Sequence, residues 1–443
     1  MSKTKFLTII LSLLIILSSI KNTFADNYSD KLDKLMNAYN RNELFSGVVL
    51  LAKDGKVQFE KAYGYADWKN KVANNNNTLF NTASITKMFT STIIAQLERE
   101  GKISYTDPLS KYLALYPAEI GDKITIRMLL DMKAGLGDYL RNPEYNKNPA
   151  KFTTVNDYIA LIKNEPLLFE PGTQWEYSNS GYAVLGGVIE KVTGKSYVQN
   201  LQERIFDPLG MKDAYFKQFN DKLTNSAIAT QITFANEKIN MMMEASPSPA
   251  GGIYTNVEDI LKFDEYLRST KIMSEGTRAG GTPGWNSVWA QYNNGYTLIV
   301  MSNFGNVAEE VEQRFTQIMK TGNFDEPALP IGMKMYKVMK EKGTAELESS
   351  LKSIIKESDL EYNDMHLNKF GYELMQSGDL EMALEVFKLN AKLFPDIANV
   401  YDSLGEAYML KGNKELAIEN YKKVLEIRPK NQNAKEMLER LQK

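Results

Sequence analysis

Apolar and polar positions divide the chain into two regions of different rhythm. The stretch "FSGVVLLAKDGKVQFEKAYGYAD", residues 45–67, is two apolar runs joined at Asp54-Gly55, a strong hairpin signal. "WNSVWAQYNNGYTLIVMSN", residues 285–303, repeats the pattern with Asn294-Gly295 at its turn. "VAEEVEQRFTQIMK" follows with helical periodicity, and apolar helices are predicted between the two strand pairs, as in "NTASITKMFTSTIIAQLERE", residues 81–100. Strands at both ends of one segment predict a single sheet closed by the two termini of a domain, residues 26–322.

Beyond the polar, proline-bearing "GNFDEPALP" the pattern is helical throughout. A linker is expected over 323–332 and an all-α domain over 333–443. Within it, Gly371 matches Gly405, Leu374 matches Tyr408, and Gly378 matches Gly412. Ala383 matches Ala417, Phe387 matches Tyr421, and Pro395 matches Pro429, each at an offset of 34. This resembles the tetratricopeptide repeat, in which small residues let paired helices approach and an aromatic fills the gap. Two such repeats bury little surface alone, so "MKMYKVMKEKGTAELESSLKSIIKES" is expected to supply an earlier, degenerate helix pair. The module reads as a packing appendage or as a concave surface for a protein or peptide partner.

The first residues, 1–25, read as a secretion signal. Lys3 and Lys5 precede an apolar run from Phe6 to Ile20, and "TFA" offers small residues for cleavage after Ala25. The chain is expected to be exported, periplasmic or secreted, with no stable membrane span once the signal is removed. Anchoring by an uncleaved segment is the alternative. Lys+Arg total 53 against 55 Asp+Glu, and no basic cluster points to nucleic acid.

Cysteine is absent and histidine occurs once, at His366 in the helical region. That excludes thiol nucleophiles, a Ser-His-Asp triad and an H-E-x-x-H zinc site. Any serine nucleophile needs another base. Ser84 and Lys87 form a Ser-x-x-Lys pair at the head of an apolar helix, but the same spacing begins at Ser2, Ser18, Ser349 and Ser353. Spacing alone therefore carries nothing. Order and company do. Tyr177 and Asn179 follow in "PGTQWEYSN", and the glycine-rich "RAGGTPGW" leads into the terminal strands.

Together with "ITIRMLLDMKAGLGDY", "FDPLGMKDAYF" and "SPAGGIYTNVEDILKF", these phrases resemble the serine β-lactamase and penicillin-binding-protein superfamily, nearest its class C and esterase-like branch. The resemblance covers roughly residues 30–305. It implies an α/β (α+β) domain, an antiparallel sheet flanked by helices with a helical subdomain, followed by the all-α repeat domain. It also implies an acyl-enzyme at Ser84, with Lys87 and Tyr177 sharing the proton traffic in an order left open. Asn179 would orient Lys87 and the substrate amide. The backbone N–H groups of Ser84 and Gly281 would form the oxyanion hole. The third box, normally Lys-Thr-Gly or His-x-Gly, reads Arg278-Ala279-Gly280, and Arg278 is expected to hold a substrate carboxylate.

Only "STKIMSEGTR" separates the helix around Phe263 from the glycine run, where the family has room for a further helix and strand. The expected function is an exported serine hydrolase of a β-lactam, a D-alanyl peptide or a small ester. The alternative is an inactive penicillin-fold binding module whose repeats contact a protein. No metal or organic cofactor is implied.

Overall fold

Asp54 and Gly55 turn the chain between strands β1 (Gly47–Lys53) and β2 (Lys56–Tyr63), both with positive φ, 49° and 76°. That is the backbone a two-residue hairpin needs to match the strand twist. In the computed structural model, residues 28–163, 165–216, 223–242, 245–358 and 360–442 are described. The secretion signal expected over 1–25 lies outside them. One unit runs through Gln231 and resumes over Ile239–Pro327; a second joins Ile232–Lys238 to Ala328–Lys443.

The first unit opens on helix α1 (Tyr28–Arg41), which sequence patterning did not single out. Its buried Leu32, Leu35, Met36 and Tyr39 follow the i, i+3, i+4, i+7 stripe of an amphipathic helix. Before the remaining strands come helices α2 (Thr86–Arg99), α3 (Asn179–Thr193) and α4 (Val257–Thr270). Strands β3 (Thr277–Thr282), β4 (Trp285–Gln291) and β5 (Tyr296–Ser302) lead to helix α5 (Val307–Thr321).

The two ends of the unit share one sheet, as the sequence predicted. The strand order is β2-β1-β5-β4-β3, antiparallel throughout, with Gly47 opposite Ser302 and Lys53 opposite Tyr296. β4 is buried along its whole length because helices cover both faces of the sheet. α1 and α5 lie on one face. On the other, Val48, Leu50, Trp289 and Ile299 join α2, α3 and α4 in the main core.

The glycine run read as leading into the strands is itself a strand. β3 forms the sheet's edge, turning at Pro283-Gly284 into β4, with Thr282 opposite Trp285. Between α4 and β3 lie only residues 271–276, so no further strand covers that edge among the described residues.

The second unit contains helices α6 (Ile331–Lys342), α7 (Thr344–Lys356), α8 (Met365–Gln376) and α9 (Leu380–Leu393). α10 (Ala398–Leu410), α11 (Lys414–Ile427) and α12 (Gln432–Gln442) complete it. α6 begins inside the stretch expected to be linker, with Pro330 as its N-cap. The repeat shows in packing: a Cβ on Gly371 would stand 2.5 Å from the Phe387 ring, and one on Gly405 3.3 Å from the Tyr421 ring. Phe234 belongs to this unit, its ring centroid 4.9 Å from Tyr336 and 5.9 Å from Phe370. His366 Nε2 donates to Glu361 O, 2.8 Å away, Ser349 Oγ donates to Glu346 O in its own helix, and Ser353 Oγ to Glu357 Oε1 at that helix's end.

Candidate active site

Ser84 stands in a tight turn, Ala83–Ile85, that leads directly into α2. Ala83 takes a positive φ of 45°, a conformation costing a side-chain-bearing residue ~1–2 kcal/mol. Its neighbours hold it there. Asn81 Oδ1 accepts from Ala83 N at 2.8 Å, Thr82 N and Oγ1 both donate to Ile253 O, and Thr86 Oγ1 accepts from Ile253 N.

Lys87 follows in the first turn of α2 and is only 5% exposed. Its Nζ donates to Asn179 Oδ1 at 2.7 Å, to Ala250 O at 2.7 Å and to Ser84 Oγ at 3.1 Å. Two of these partners can only accept. A neutral amine would satisfy both with its two hydrogens and turn its lone pair toward the Ser84 hydroxyl. Burial pulls the Lys87 pKa down from 10.5 to about 7, against the opposing charge of Asp138. The amine therefore titrates in the range where a general base works.

Tyr177 Oη lies 2.8 Å from Ser84 Oγ, and its ring centroid is 4.9 Å from Lys87 Nζ. Burial raises its pKa, the Ser84 hydrogen bond lowers it, and Asp138 raises it; the net direction is up. Ser178 fixes the loop by accepting from Gly181 N and donating to Gly137 O at 2.7 Å. That places Asn179 at the start of α3, facing Lys87.

Gly280 comes against Ser84 from β3. A Cβ there would lie 2.3 Å from Thr82 O and 2.8 Å from Ser84 N, so only glycine permits the approach. Gln291 N donates to Gly276 O at 3.2 Å, and antiparallel pairing alternates along the strand. Arg278, Gly280 and Thr282 therefore face β4, and the Ala279 and Gly281 amides point from the open edge. The structure thus brings Ser84, Lys87, Tyr177, Asn179 and Gly280 together, with Gly281 the next residue along β3.

Arg278 is the exception. Its guanidinium donates to Gly276 O at 2.7 Å, to Gln291 Oε1 at 2.8 Å and to Ser274 O, and it lies 4.9 Å from the Trp289 ring centroid. The expected substrate contact is corrected on that ground: its donors are taken up by the loop before β3 and by Gln291 of β4.

Three contributors were missed. Ala250 acts through its carbonyl, and Ile253 through backbone groups, which no residue pattern announces. Asp138 sat in the quoted "GLGDY" without a role; its Oδ2 accepts from Asn179 Nδ2 at 2.7 Å, and its Oδ1 from Leu140 N. The loop around it lacks polar side chains at Met132 and Ala134 because backbone bonds hold it. Glu176 N donates to Met132 O, Leu168 N to Gly135 O and Gly172 N to Lys133 O. Asp138→Asn removes the one charge that favours protonated Lys87. The acid limb of kcat/KM is expected to move to lower pH, read from a pH–rate profile.

A Ser-x-x-Lys turn and a Tyr-x-Asn loop meeting beside the edge strand of an antiparallel sheet form the layout of the penicillin-recognising serine enzymes. The family model described as Beta-lactamase matches residues 32–301, and the chain belongs to that family. A second model, described as Tetratricopeptide repeat, matches residues 398–431.

The chain is 32% identical over 262 residues to the "Putative penicillin-binding protein PbpX" of Bacillus subtilis, covering 59% of this chain and 64% of that protein. It is 28% identical over 260 residues to the "Teichoic acid D-alanine hydrolase" of Staphylococcus aureus, covering 58% and 62%. The matches thus span under two thirds of each relative's length. Among solved structures, a penicillin-binding protein from Bacillus halodurans superposes with a TM-score of 0.59 at 22% identity, over 64% of this chain and 98% of that one. D-amino acid amidase from Ochrobactrum anthropi SV3 gives 0.55 at 23% identity, over 65% and 99%. At these identities the superpositions speak for the fold alone.

Proposed function

We propose that the chain is a serine hydrolase that cleaves an ester or amide through an acyl-enzyme at Ser84. One observation carries the reading: Ser84 Oγ lies 3.1 Å from an amine titrating at about 7 and 2.8 Å from a phenol. Neutral Lys87 takes the Ser84 proton as Oγ bonds to the carbonyl carbon. The resulting oxyanion accepts from the Ser84 and Gly281 amides. The bond to the leaving group breaks, and that group takes a proton passed through Tyr177. Water then adds to the acyl carbon, gives its proton to the Lys87–Tyr177 pair, and releases the acid and the free serine.

The pKa directions favour Lys87 over Tyr177 as the base, since burial disfavours both the lysine cation and the tyrosine phenolate. The relatives named for penicillin binding and for teichoic acid D-alanine hydrolysis support β-lactam-like, D-alanyl or small ester substrates. The short segment 271–276 favours the rival reading, an inactive binding module; the close approach of Gly280 to Ser84 N favours turnover. Export rests on the charged and apolar pattern of residues 1–25, and a protein or peptide partner is proposed for the repeats. No helix among the described residues is long and apolar enough to cross a membrane.

The test is covalent. Fluorophosphonate and fluorescent penicillin are incubated with the full chain, and adducts are mapped by peptide mass. A single adduct on the peptide holding Ser84 is expected from at least one probe. Labelling confined to another residue, or none from either probe alongside no turnover of a chromogenic ester, overturns the reading.

A further inference from the structure

Arg278 heads the third box, where a substrate contact was expected, yet its contacts among the described residues all lie within its own framework. Ser274 O, Gly276 O and Gln291 Oε1 accept from its guanidinium, and Trp289 lies beneath it. Two of those partners, Trp289 and Gln291, are themselves tied to a buried hub. Asp264, 1% exposed, accepts from Trp289 Nε1 at 2.8 Å, Gln291 Nε2 at 2.6 Å, Thr297 Oγ1 at 2.7 Å and Arg268 Nε at 3.1 Å. Arg268 in turn donates to Glu275 Oε1 at 2.8 Å, within the loop that Arg278 grips. α4, β4, β5 and the 271–276 loop are thereby fastened to one another through Asp264 and Arg278.

β3 needs such fastening. It is an edge strand paired on one side only, it carries two adjacent glycines, and it must hold Gly280 against the Ser84 turn. Edge strands and glycine are both weak points of a sheet.

We propose that Arg278 is a positioning residue, which braces β3 at the distance the Ser84 site requires. Its consequence narrows the proposed substrates to ester and amide acyl donors whose leaving group carries no carboxylate, which sets aside β-lactams and peptides that would release a terminal D-alanine. Arg278 is the one charged residue of Thr277–Thr282, and the exposed Ala279 and Gly281 beside the site offer no side-chain donor. A leaving-group carboxylate along this strand would meet its backbone amides and no side-chain cation of the strand itself, since Arg278 spends its donors elsewhere. The specificity half rests on the acyl-transfer reading above; the brace does not.

The experiment compares 4-nitrophenyl acetate with its 3-carboxy derivative, each rate divided by that ester's uncatalysed hydrolysis. Wild type, Arg278→Lys and Arg278→Met are run beside hydrogen exchange of the peptide covering 277–282. Lysine keeps the charge but lacks the fork of donors. Wild type is expected to show no preference for the carboxylated ester. Both variants are expected to lower kcat on the two esters by one common factor, ~10-fold or more, with KM little changed. Exchange over β3 should quicken while β5 stays protected.

A carboxylate preference of ~10-fold in wild type that is lost in Arg278→Met overturns the specificity assignment. Unchanged exchange over β3 in both variants overturns the brace. Should neither ester turn over, the acyl-transfer reading and its specificity fall together, and exchange alone still decides the brace.

Discussion

Ser84→Ala is expected to lose ~10⁴-fold or more in kcat/KM on any ester the wild type hydrolyses, with an unchanged melting temperature. The side chain is half-buried and its Oγ contributes contacts to Tyr177 and Lys87 only within the site, so little packing is lost. Lys87→Met is expected to cost nearly as much. Without the amine, a hydroxyl of ordinary acidity has no partner able to take its proton near neutrality, because burial pushes Tyr177 upward. The two residues act as one device, so the double variant should be barely worse than either single one. Additive losses would show that Lys87 works elsewhere. A second check is the pH profile: kcat/KM of the wild type should rise through about pH 7 as Lys87 sheds its proton, and Lys87→Met should lack that limb.

Gly280→Val is expected to lower kcat by ~10²–10³-fold, the effect of misplacing one oxyanion donor. Its first side-chain atom would fall 2.3 Å from Thr82 O and 2.8 Å from Ser84 N. Backbone lies on both sides of the clash, so either β3 retreats or the Ser84 turn opens. Thr82 is held by two bonds to Ile253 O, which makes the edge strand the one to yield. Gly281 N–H retreats with it. Steady-state kinetics and thermal melting together check this: kcat should collapse while the melting temperature falls by a few degrees, ~4 °C for each kcal/mol or less in a unit of this size. A large melting loss with retained kcat would contradict the geometry.

Much of the first unit was legible because turns and strands write themselves locally. Asp54-Gly55 announces a two-residue hairpin since few residues accept positive φ twice in succession. Gly371 with Phe387 and Gly405 with Tyr421 announce a repeat because one helix-pair geometry demands the same small–aromatic contact twice. β3 escaped because glycine signals a loop when read alone; here it serves close approach to Ser84. α1 escaped because its mostly polar sequence hides a stripe of four buried residues. Ala250 could not be read at all, as a carbonyl belongs to every residue. Arg278 taught a different lesson. A charge can be located from sequence, but where a long side chain spends its donors depends on what folds around it, here the loop from Ser274 to Gly276.

The buried amine of Lys87 also weighs on folding itself. In the unfolded chain this lysine keeps its proton up to about 10.5, whereas in the folded one it yields it near 7. Between those two values the unfolded form binds the extra proton, so its contribution shifts toward the native state as the medium becomes more alkaline. Below about 7 both forms are protonated and the full penalty of sheltering a cation is felt. Lys87 therefore weighs most heavily against folding on the acid side of neutrality.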